Sequence, residues 1–277
     1  MLKCILCLFV FLSQTFSAQI FITLSDNLFV RVPMPKKGIV CSNHDRVERI
    51  RKILTNVKTY KSNWGPKVYV GLYKGHAVFI ASAPVGSGAG LMFTELYSAG
   101  AEYIIRYGSD DVKEPLDHEE NLVKIINETD NLYGYNKASA VPENEWGKSI
   151  FASETLLGVL REEATNRDLC VEERICHHLE NYHALRKPER FSPEREKILK
   201  QQLAQIKRTD KNESFDMESA VLFRVAKDFN KHAAAVLQTV NKANDKEGPY
   251  EGHNKRKAIS QEIMFAEYVL SALMRIN

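Results

Sequence analysis

The sequence predicts an α/β fold of three layers, α/β/α, around a mixed, mostly parallel central sheet. Apolar segments of strand length alternate with segments of helical spacing from Gly38 to the end of the chain. This alternation is typical of a sheet that is covered by helices on both faces. The chain has 277 residues, of which 44% are hydrophobic, so it can bury a sizeable core.

The first half of the chain carries the clearest elements. Apolar residues at three- and four-residue intervals predict helices, and shorter apolar runs bounded by glycine predict strands. The predicted elements are a strand Gly38–Cys41, a helix Arg46–Val57, a hairpin of Val68–Tyr73 with Ala77–Ala81, a helix Gly90–Gly100 and a strand Tyr103–Tyr107.

The second half is regular again after a less ordered middle. Pro193 opens a charge-rich segment that predicts an exposed helix, and the segment from Met217 is apolar around its first turns, which predicts burial. The predicted elements are a short strand Ile150–Ser153, helices Pro193–Ile206 and Met217–Phe229, a strand Ala233–Val240 and a closing helix Ile259–Ile276.

The N-terminus predicts a signal peptide over residues 1–18, followed by a single domain over 19–277. Lys3 precedes an apolar run, Cys4–Leu12, and small or polar residues follow, which is the usual order in such leaders. A retained N-terminal anchor is the alternative. We therefore expect the secretory pathway or secretion, with no membrane span after cleavage, since no later apolar run has the necessary length.

Charge and cysteine content exclude some classes of function. The formal net charge of +3 is too small to indicate a nucleic-acid partner. Three cysteines lie beyond the leader, at positions 41, 170 and 176, without the spacing of a zinc site. Cys170 and Cys176 either bridge or remain free thiols. The sequence predicts no metal site.

Polar residues at predicted strand ends indicate where a ligand binds, since ligands of such sheets collect at the carboxyl ends of strands. Arg46 at a helix start and Arg106 beside Gly108-Ser109 favour an anion, although a surface arginine explains each of them as well. Val85–Gly90 is a glycine-rich turn, which alone is a weak signal. Glu218 at a helix start suits vicinal hydroxyls, although a simple helix-start acid is the more general interpretation.

These segments occur in the order seen in nucleoside phosphorylases of the uridine phosphorylase and hexameric purine nucleoside phosphorylase type. Val40–Ile50 resembles the first phosphate loop, and Ser82–Ala89 resembles the glycine-rich second loop. Ile105–Ser109 is similar to the Arg-x-Gly-Ser/Thr phosphate segment. Phe215–Ala220 resembles the Met-Glu ribose segment, and Val240–Lys242 resembles the Val-Asn-Arg of uridine phosphorylases. The resemblance covers nearly the whole chain after the leader and predicts a phosphorylase/hydrolase-like fold.

The resemblance implies a role for each matching residue. The ribose would be bound by Met217 and Glu218. The remaining residues are implied to be phosphate-binding, namely Arg46, Arg106, Ser109, Ser42 and Gly86, or to lie on the base side, namely Ser153, Leu156, Asn241 and Lys242. The resemblance implies inorganic phosphate as co-substrate, no cofactor, no metal, and a homo-oligomer that is a dimer or a trimer of dimers.

The phosphate side departs from the family's pattern. Ser42 replaces a glycine and either crowds the phosphate or donates to it. Asp110 and Asp111 follow Ser109 where a small residue is usual, and like charge would repel an anion. Trp64 stands where a neighbouring subunit's arginine is expected, with Lys61 or Lys67 as possible substitutes.

The base side departs as well. Leu156 stands where an aromatic residue is expected, and Lys242 aligns near the catalytic aspartate of the purine enzymes. The pyrimidine-recognising Gln and Arg have no clear counterpart, although Asn181, Tyr182, His183 and Arg186 lie near the right place.

These features support three hypotheses. The first is a pentosyltransferase that uses phosphate to cleave a nucleoside into free base and ribose 1-phosphate. A pyrimidine nucleoside is the preferred candidate substrate, and a purine nucleoside is the second. The second hypothesis is a catalytically degenerate member that binds nucleosides or serves storage or interaction. A phosphate-independent nucleosidase ranks last, because its general-acid aspartate is not evident.

Overall fold

A mixed β-sheet forms the centre of the computed structural model, which describes residues 27–110, 122–130, 132–183, 187–206, 213–239 and 254–276. The predicted leader, Asp111, Arg186, Asn241 and Lys242 lie outside the described residues. The strands are β1 Lys37–Cys41, β2 Thr55–Lys61, β3 Lys67–Tyr73, β4 His76–Ser82, β5 Tyr103–Asp110, β6 Val123–Asp130, β7 Ile150–Phe151, β8 Val171–His178, β9 Glu213–Asp216 and β10 His232–Thr239.

The strand order is β2-β3-β4-β1-β5-β10-β6-β8-β9, and β7 pairs with β6. Five of the nine described pairings are parallel, and four are antiparallel. The prediction of a mixed sheet with a parallel majority is therefore confirmed. Strands β1, β4, β5 and β10 run in one direction, so their carboxyl ends meet at one edge.

Helices cover both faces of the sheet and complete the three layers. They are α1 His44–Ile50, α2 Ala89–Ser98, α3 Tyr133–Ala138, α4 Glu154–Asn166, α5 Pro193–Ile206, α6 Ser219–Phe229 and α7 Asn254–Met274. One layer contains α1, α4 and α7, and the other contains α2 and α6. The central strands are buried between the layers, as the apolar runs of β1 and β10 require.

Most predicted elements of regular pattern are confirmed. The hairpin of β3 and β4 turns at Lys74-Gly75, where both residues have positive φ, the geometry of a tight two-residue hairpin turn. Helix α5 has the predicted bounds. Short 3₁₀ turns lie at Arg51–Ile53, Gly86–Gly88, Glu143–Glu145 and Pro188–Arg190.

The predicted helix Arg46–Val57 is wrong in its second half. Helix α1 ends at Ile50, Leu54 is extended, and Asn56 has a φ of 51°. Val57 belongs to β2, which pairs antiparallel with β3. Tertiary strand pairing here overrides the helical spacing of the apolar residues.

The sheet curls so that its last strand, β9, returns to β5. The backbone N–H of Phe215 donates to the carboxylate of Asp110 at 3.0 Å, and the Ser214 hydroxyl donates to the same carboxylate at 2.9 Å. This curl brings the end of β9 close to the arginine in the middle of β5, Arg106.

Three further observations concern the described residues alone. None of their helices has the length and apolar character of a membrane span. They contain no group of three or more His, Cys, Asp or Glu side chains arranged for a metal ion. Cys41, Cys170 and Cys176 are free thiols, of which Cys170 is exposed.

Candidate active site

A cavity of about 320 Å³ opens where the ends of β1, β5 and β9 meet. Its volume lies within the usual range for small-molecule sites. It is lined by Ser42, Asn43, Arg46, Val85, Arg106, Gly108, Ser109, Tyr182, Asp216, Met217 and Glu218. Most of the predicted phosphate-binding residues and both predicted ribose-binding residues therefore line one cavity.

Arg46 is held by the cap of its own helix and by two residues of β5. Asn43 caps α1 by accepting the backbone N–H of Arg46 at 3.0 Å. Arg46 is only 1% exposed, and its Nη2 donates to the Ser109 hydroxyl at 2.8 Å. Its guanidinium also lies 4.8 Å from the ring centroid of Tyr107, which suits a cation–π contact. Arg46 is therefore a fixed cation in the wall of the cavity.

Glu262 on α7 fixes Arg46 from behind, and sequence analysis did not single it out. Its Oε1 accepts Arg46 Nε at 2.9 Å, and its Oε2 accepts Arg49 Nε at 2.6 Å. The carboxylate is fully buried. Its sequence signal is an acid on the apolar face of the closing helix, because acids are rarely buried unless they have a partner.

Arg106 projects from β5 toward the end of β9. Its Nε lies 3.2 Å from Asp216 Oδ2, and its Nη2 is ion-paired with Glu218. Burial lowers the pKa of Arg106, but these two carboxylates raise it by more, so the net pKa is above its ordinary value. Nη1 has no hydrogen-bond partner among the described residues. A buried guanidinium with one open nitrogen beside a cavity is suited to an oxyanion.

Gly108 is required by the position of Arg106. A Cβ added at Gly108 would overlap Nη1 of the Arg106 guanidinium, so no larger residue fits without moving the cation. The Gly in the Arg-x-Gly-Ser segment thus allows a close approach of side chain to backbone.

The Met217-Glu218 turn is built by Asp216. Oδ1 of Asp216 accepts the backbone N–H groups of Glu218 and Ser219 at 3.1 and 3.0 Å, which satisfies donors at the start of α6. Glu218 Oε1 accepts the N–H of Gly86 at 2.6 Å. Gly86, which the sequence predicts to bind phosphate, therefore donates to the Glu218 carboxylate instead. Its φ of 74° favours glycine at this position.

Of the predicted base-side residues, the two that the structure describes, Ser153 and Leu156, do not line the cavity. The backbone N–H of Ser153 donates to the carbonyl of Ala233, and its hydroxyl is hydrogen-bonded to His232 at the start of β10. His232 lies six residues along β10 from the residue that pairs with Ser109, a distance of about 20 Å. Leu156 is fully buried in the core.

Tyr182, just after β8, is the aromatic residue among the described ones that line the cavity, and it is 38% exposed. The sequence places Tyr182 near the segment expected to recognise the base, whereas the family resemblance implies an aromatic residue after Ser153. Both segments follow strand ends, so the sequence pattern alone does not distinguish them.

The expected repulsion from Asp110 does not arise at the cavity. Asp110 is buried in an ion pair with Lys124 at 2.6 Å and does not line the cavity. Trp64 lies in the turn between β2 and β3 and is 70% exposed. Around the cavity, three guanidinium groups meet three carboxylates, since Arg46 and Arg49 face Glu262 while Arg106 faces Asp216 and Glu218.

Protein-family models and curated proteins give no match to this chain. Solved structures do match over most of its length. Uridine phosphorylase from Vibrio fischeri ES114, in complex with 6-hydroxy-1-naphthoic acid, is 23% identical with a TM-score of 0.68, covering 87% of this chain and 92% of that one. Purine nucleoside phosphorylase from Toxoplasma gondii, in complex with immucillin-H, is 14% identical with a TM-score of 0.69, covering 88% and 93%.

A hydrolytic enzyme is similar to the same extent. The 5′-methylthioadenosine/S-adenosyl homocysteine nucleosidase from Campylobacter jejuni is 16% identical with a TM-score of 0.66, covering 87% of this chain and 100% of that one. At these identities the similarity establishes the fold, in which both phosphorylases and nucleosidases occur. The chain therefore has the nucleoside phosphorylase/hydrolase fold, as its sequence resemblance predicts.

Proposed function

We propose that this protein is a nucleoside phosphorylase, which transfers the pentosyl group of a nucleoside to inorganic phosphate. The observation that carries the proposal is one cavity that contains two buried arginines and Ser109 beside Met217 and Glu218. We propose a pyrimidine nucleoside as substrate, with a purine nucleoside as the second choice.

In this proposal the phosphate is held by Arg46, Arg106 and the hydroxyls of Ser109 and Ser42. Arg46 and Ser109 are already joined by a hydrogen bond, so they offer a preorganised edge to the anion. Met217 packs against the sugar, and the Glu218 carboxylate accepts its vicinal hydroxyls. Tyr182 offers a ring for the base.

The proposed reaction needs no covalent enzyme intermediate and no cofactor. A phosphate oxygen forms a bond to C1′ as the glycosidic C–N bond breaks, and the bonding electrons leave with the base. The proton of hydrogen phosphate is transferred, in net terms, to that base, which leaves ribose 1-phosphate. The fixed guanidinium groups hold phosphate close to C1′ while positive charge develops on the sugar.

A catalytically degenerate nucleoside-binding protein is the alternative. The charge balance around the cavity favours it, because each guanidinium already has a carboxylate partner. An anion must therefore compete with internal ion pairs, and Trp64 supplies no replacement cation.

Assembly and location belong to the same proposal. We propose a homo-oligomer, a dimer or a trimer of dimers, and a secreted or secretory-pathway protein whose residues 1–18 are removed. Light scattering and N-terminal sequencing of the protein from a eukaryotic secretion host test these two points. A monomer, or a mature chain that retains Met1, would contradict them.

The activity is tested by chromatography of uridine, inosine and their deoxy forms incubated with and without phosphate. We expect base release that requires phosphate and is abolished by Glu218→Ala, whereas the exposed-site change Gly158→Ala leaves it intact. Equal release without phosphate would indicate a nucleosidase. Absence of release, with no thermal stabilisation by millimolar phosphate or by nucleoside, would favour a protein without ligand or catalysis.

A further inference from the structure

We propose that the Arg106–Glu218 ion pair occupies the sugar-binding carboxylate of the free protein, and that an oxyanion in the cavity releases it. The anion and the nucleoside then bind cooperatively. This inference rests on the proposed function, because it assigns the anion to Arg106 and the sugar to Glu218.

Both oxygens of Glu218 are engaged by groups of the protein itself. Oε1 accepts the N–H of Gly86 at 2.6 Å, and Oε2 is paired with Arg106 Nη2. The residue is only 3% exposed. A sugar diol that arrives alone must therefore compete with a buried cation for this carboxylate, and that competition opposes its binding.

Arg106 offers the means of exchange. It is 4% exposed, and its Nη1 has no hydrogen-bond partner among the described residues. An oxyanion in the cavity is attracted to this open nitrogen. Nη1 and Nη2 belong to one guanidinium, so the anion and Glu218 would then share one buried cation and repel each other.

The repulsion is relieved when Arg106 turns toward the anion. Glu218 keeps the N–H of Gly86 on Oε1, while Oε2 becomes free to accept a sugar hydroxyl. The hydroxyl donor replaces the lost cation, so the sugar stabilises the state that the anion favours. Because binding linkage is reciprocal, the sugar must increase anion affinity by the same factor.

This coupling has a consequence for the chemistry. A nucleoside without an anion meets an occupied carboxylate and binds weakly. Cleavage by water alone is thereby disfavoured, although the fold also occurs in nucleosidases. The ion pair thus favours reaction with phosphate over reaction with water.

The test is calorimetric binding with sulfate, a tetrahedral oxyanion that cannot support turnover, at constant ionic strength. We expect saturating sulfate to lower the Kd of uridine or inosine by at least about 5-fold, the lower end of typical couplings. Saturating nucleoside should lower the sulfate Kd by the same factor. Nucleoside affinity that is independent of sulfate, or no nucleoside binding in either condition, overturns the proposal.

The variant Glu218→Gln isolates the ion pair. Its amide holds Arg106 less strongly, so sulfate alone should bind at least about 5-fold more tightly than to the wild type, and the coupling should disappear. Glu163→Gln, which changes a buried carboxylate paired with Arg167 and Arg275, is the matched control and should leave both affinities unchanged. If Glu218→Gln does not fold, Glu218→Asp retains the charge with a shorter reach, and an unchanged sulfate Kd there contradicts the proposal.

The outcome for this inference differs from that for the proposed function. Sulfate-coupled nucleoside binding without any base release supports the ion-pair exchange and refutes the phosphorylase. Phosphate-dependent base release with sulfate-independent nucleoside binding supports the phosphorylase and refutes the exchange.

Discussion

Gly108→Ala is the substitution that most sharply tests the position of Arg106. The new Cβ would overlap the Arg106 guanidinium, so this cation must move into the adjacent cavity, whose volume is about 320 Å³. Since the cavity has room for the displaced guanidinium, we expect the free energy of unfolding to fall by about 2 kcal/mol, the cost of overpacking. Leaving a buried charge without its partner would cost more, about 3–5 kcal/mol. The expected fall in Tm is about 4–8 °C.

This forced displacement should weaken anion binding, because the guanidinium then fills part of the space that the anion needs. A charge-assisted hydrogen bond contributes about 2 kcal/mol, which corresponds to a roughly 30-fold rise in the Kd of phosphate. Thermal unfolding with a phosphate titration measures both quantities.

Gly158→Ala is the control for this substitution. Gly158 lies within α4 with open space around the added Cβ, so that change should stabilise by about 0.5–1 kcal/mol and leave phosphate binding intact. Wild-type stability and phosphate affinity in Gly108→Ala would refute the assigned position of Arg106.

Three further predictions concern groups outside the cavity wall. Asp110→Asn removes the carboxylate that is ion-paired with the buried ammonium of Lys124, so it should lower the free energy of unfolding by about 3–5 kcal/mol in urea denaturation. A loss below about 1 kcal/mol would show that this ion pair contributes little to stability. Burial raises the pKa of the Cys41 thiol to about 12, so it should not react with iodoacetamide at pH 8. Mass spectrometry should find exposed Cys170 alkylated and Cys41 unmodified, and the reverse pattern would contradict the burial of Cys41. Burial lowers the pKa of His177, but Asp130 and a second carboxylate raise it by more, so the net pKa lies above its ordinary value. The His177–Asp130 contact therefore stabilises the fold fully below the unfolded-state pKa near 6.5, and this stabilisation is lost as pH rises through the folded-state pKa. The Tm difference between wild type and Asp130→Asn should therefore be largest below about pH 6 and shrink at higher pH, whereas a constant difference would exclude this titration.

The sequence was sufficient where local pattern and packing agree. The β3–β4 hairpin combines alternating apolar residues with a Lys74-Gly75 turn, and both signals favour the same structure. Helix α5 begins at a proline suited to the first helical turn. The Met217-Glu218 turn is predictable because a strand end, an acid and an apolar helix follow one another directly in the sequence.

The remaining features depend on contacts between distant segments. Val57 has helical spacing, yet the neighbouring strand β3 pairs with it and makes it a strand residue. Lys124 neutralises Asp110 only because the sheet places β6 and β5 on either side of β10. Glu262 reaches Arg46 across 216 residues of sequence, and no local pattern specifies such a pairing.

The aromatic residue at the cavity was the least predictable part of its lining. The strand end after β8 carries Tyr182, but its polar residues gave no stronger signal than those after Ser153. Only the curl of the sheet decides which of the two segments borders the cavity.

Phosphorus NMR of the protein with a nucleoside and inorganic phosphate tests the central claim most directly. The proposed transfer predicts a new phosphate-monoester resonance that grows in proportion to the released base and requires the protein. Release of base with free pentose, while the inorganic phosphate signal stays constant, would contradict phosphorolysis.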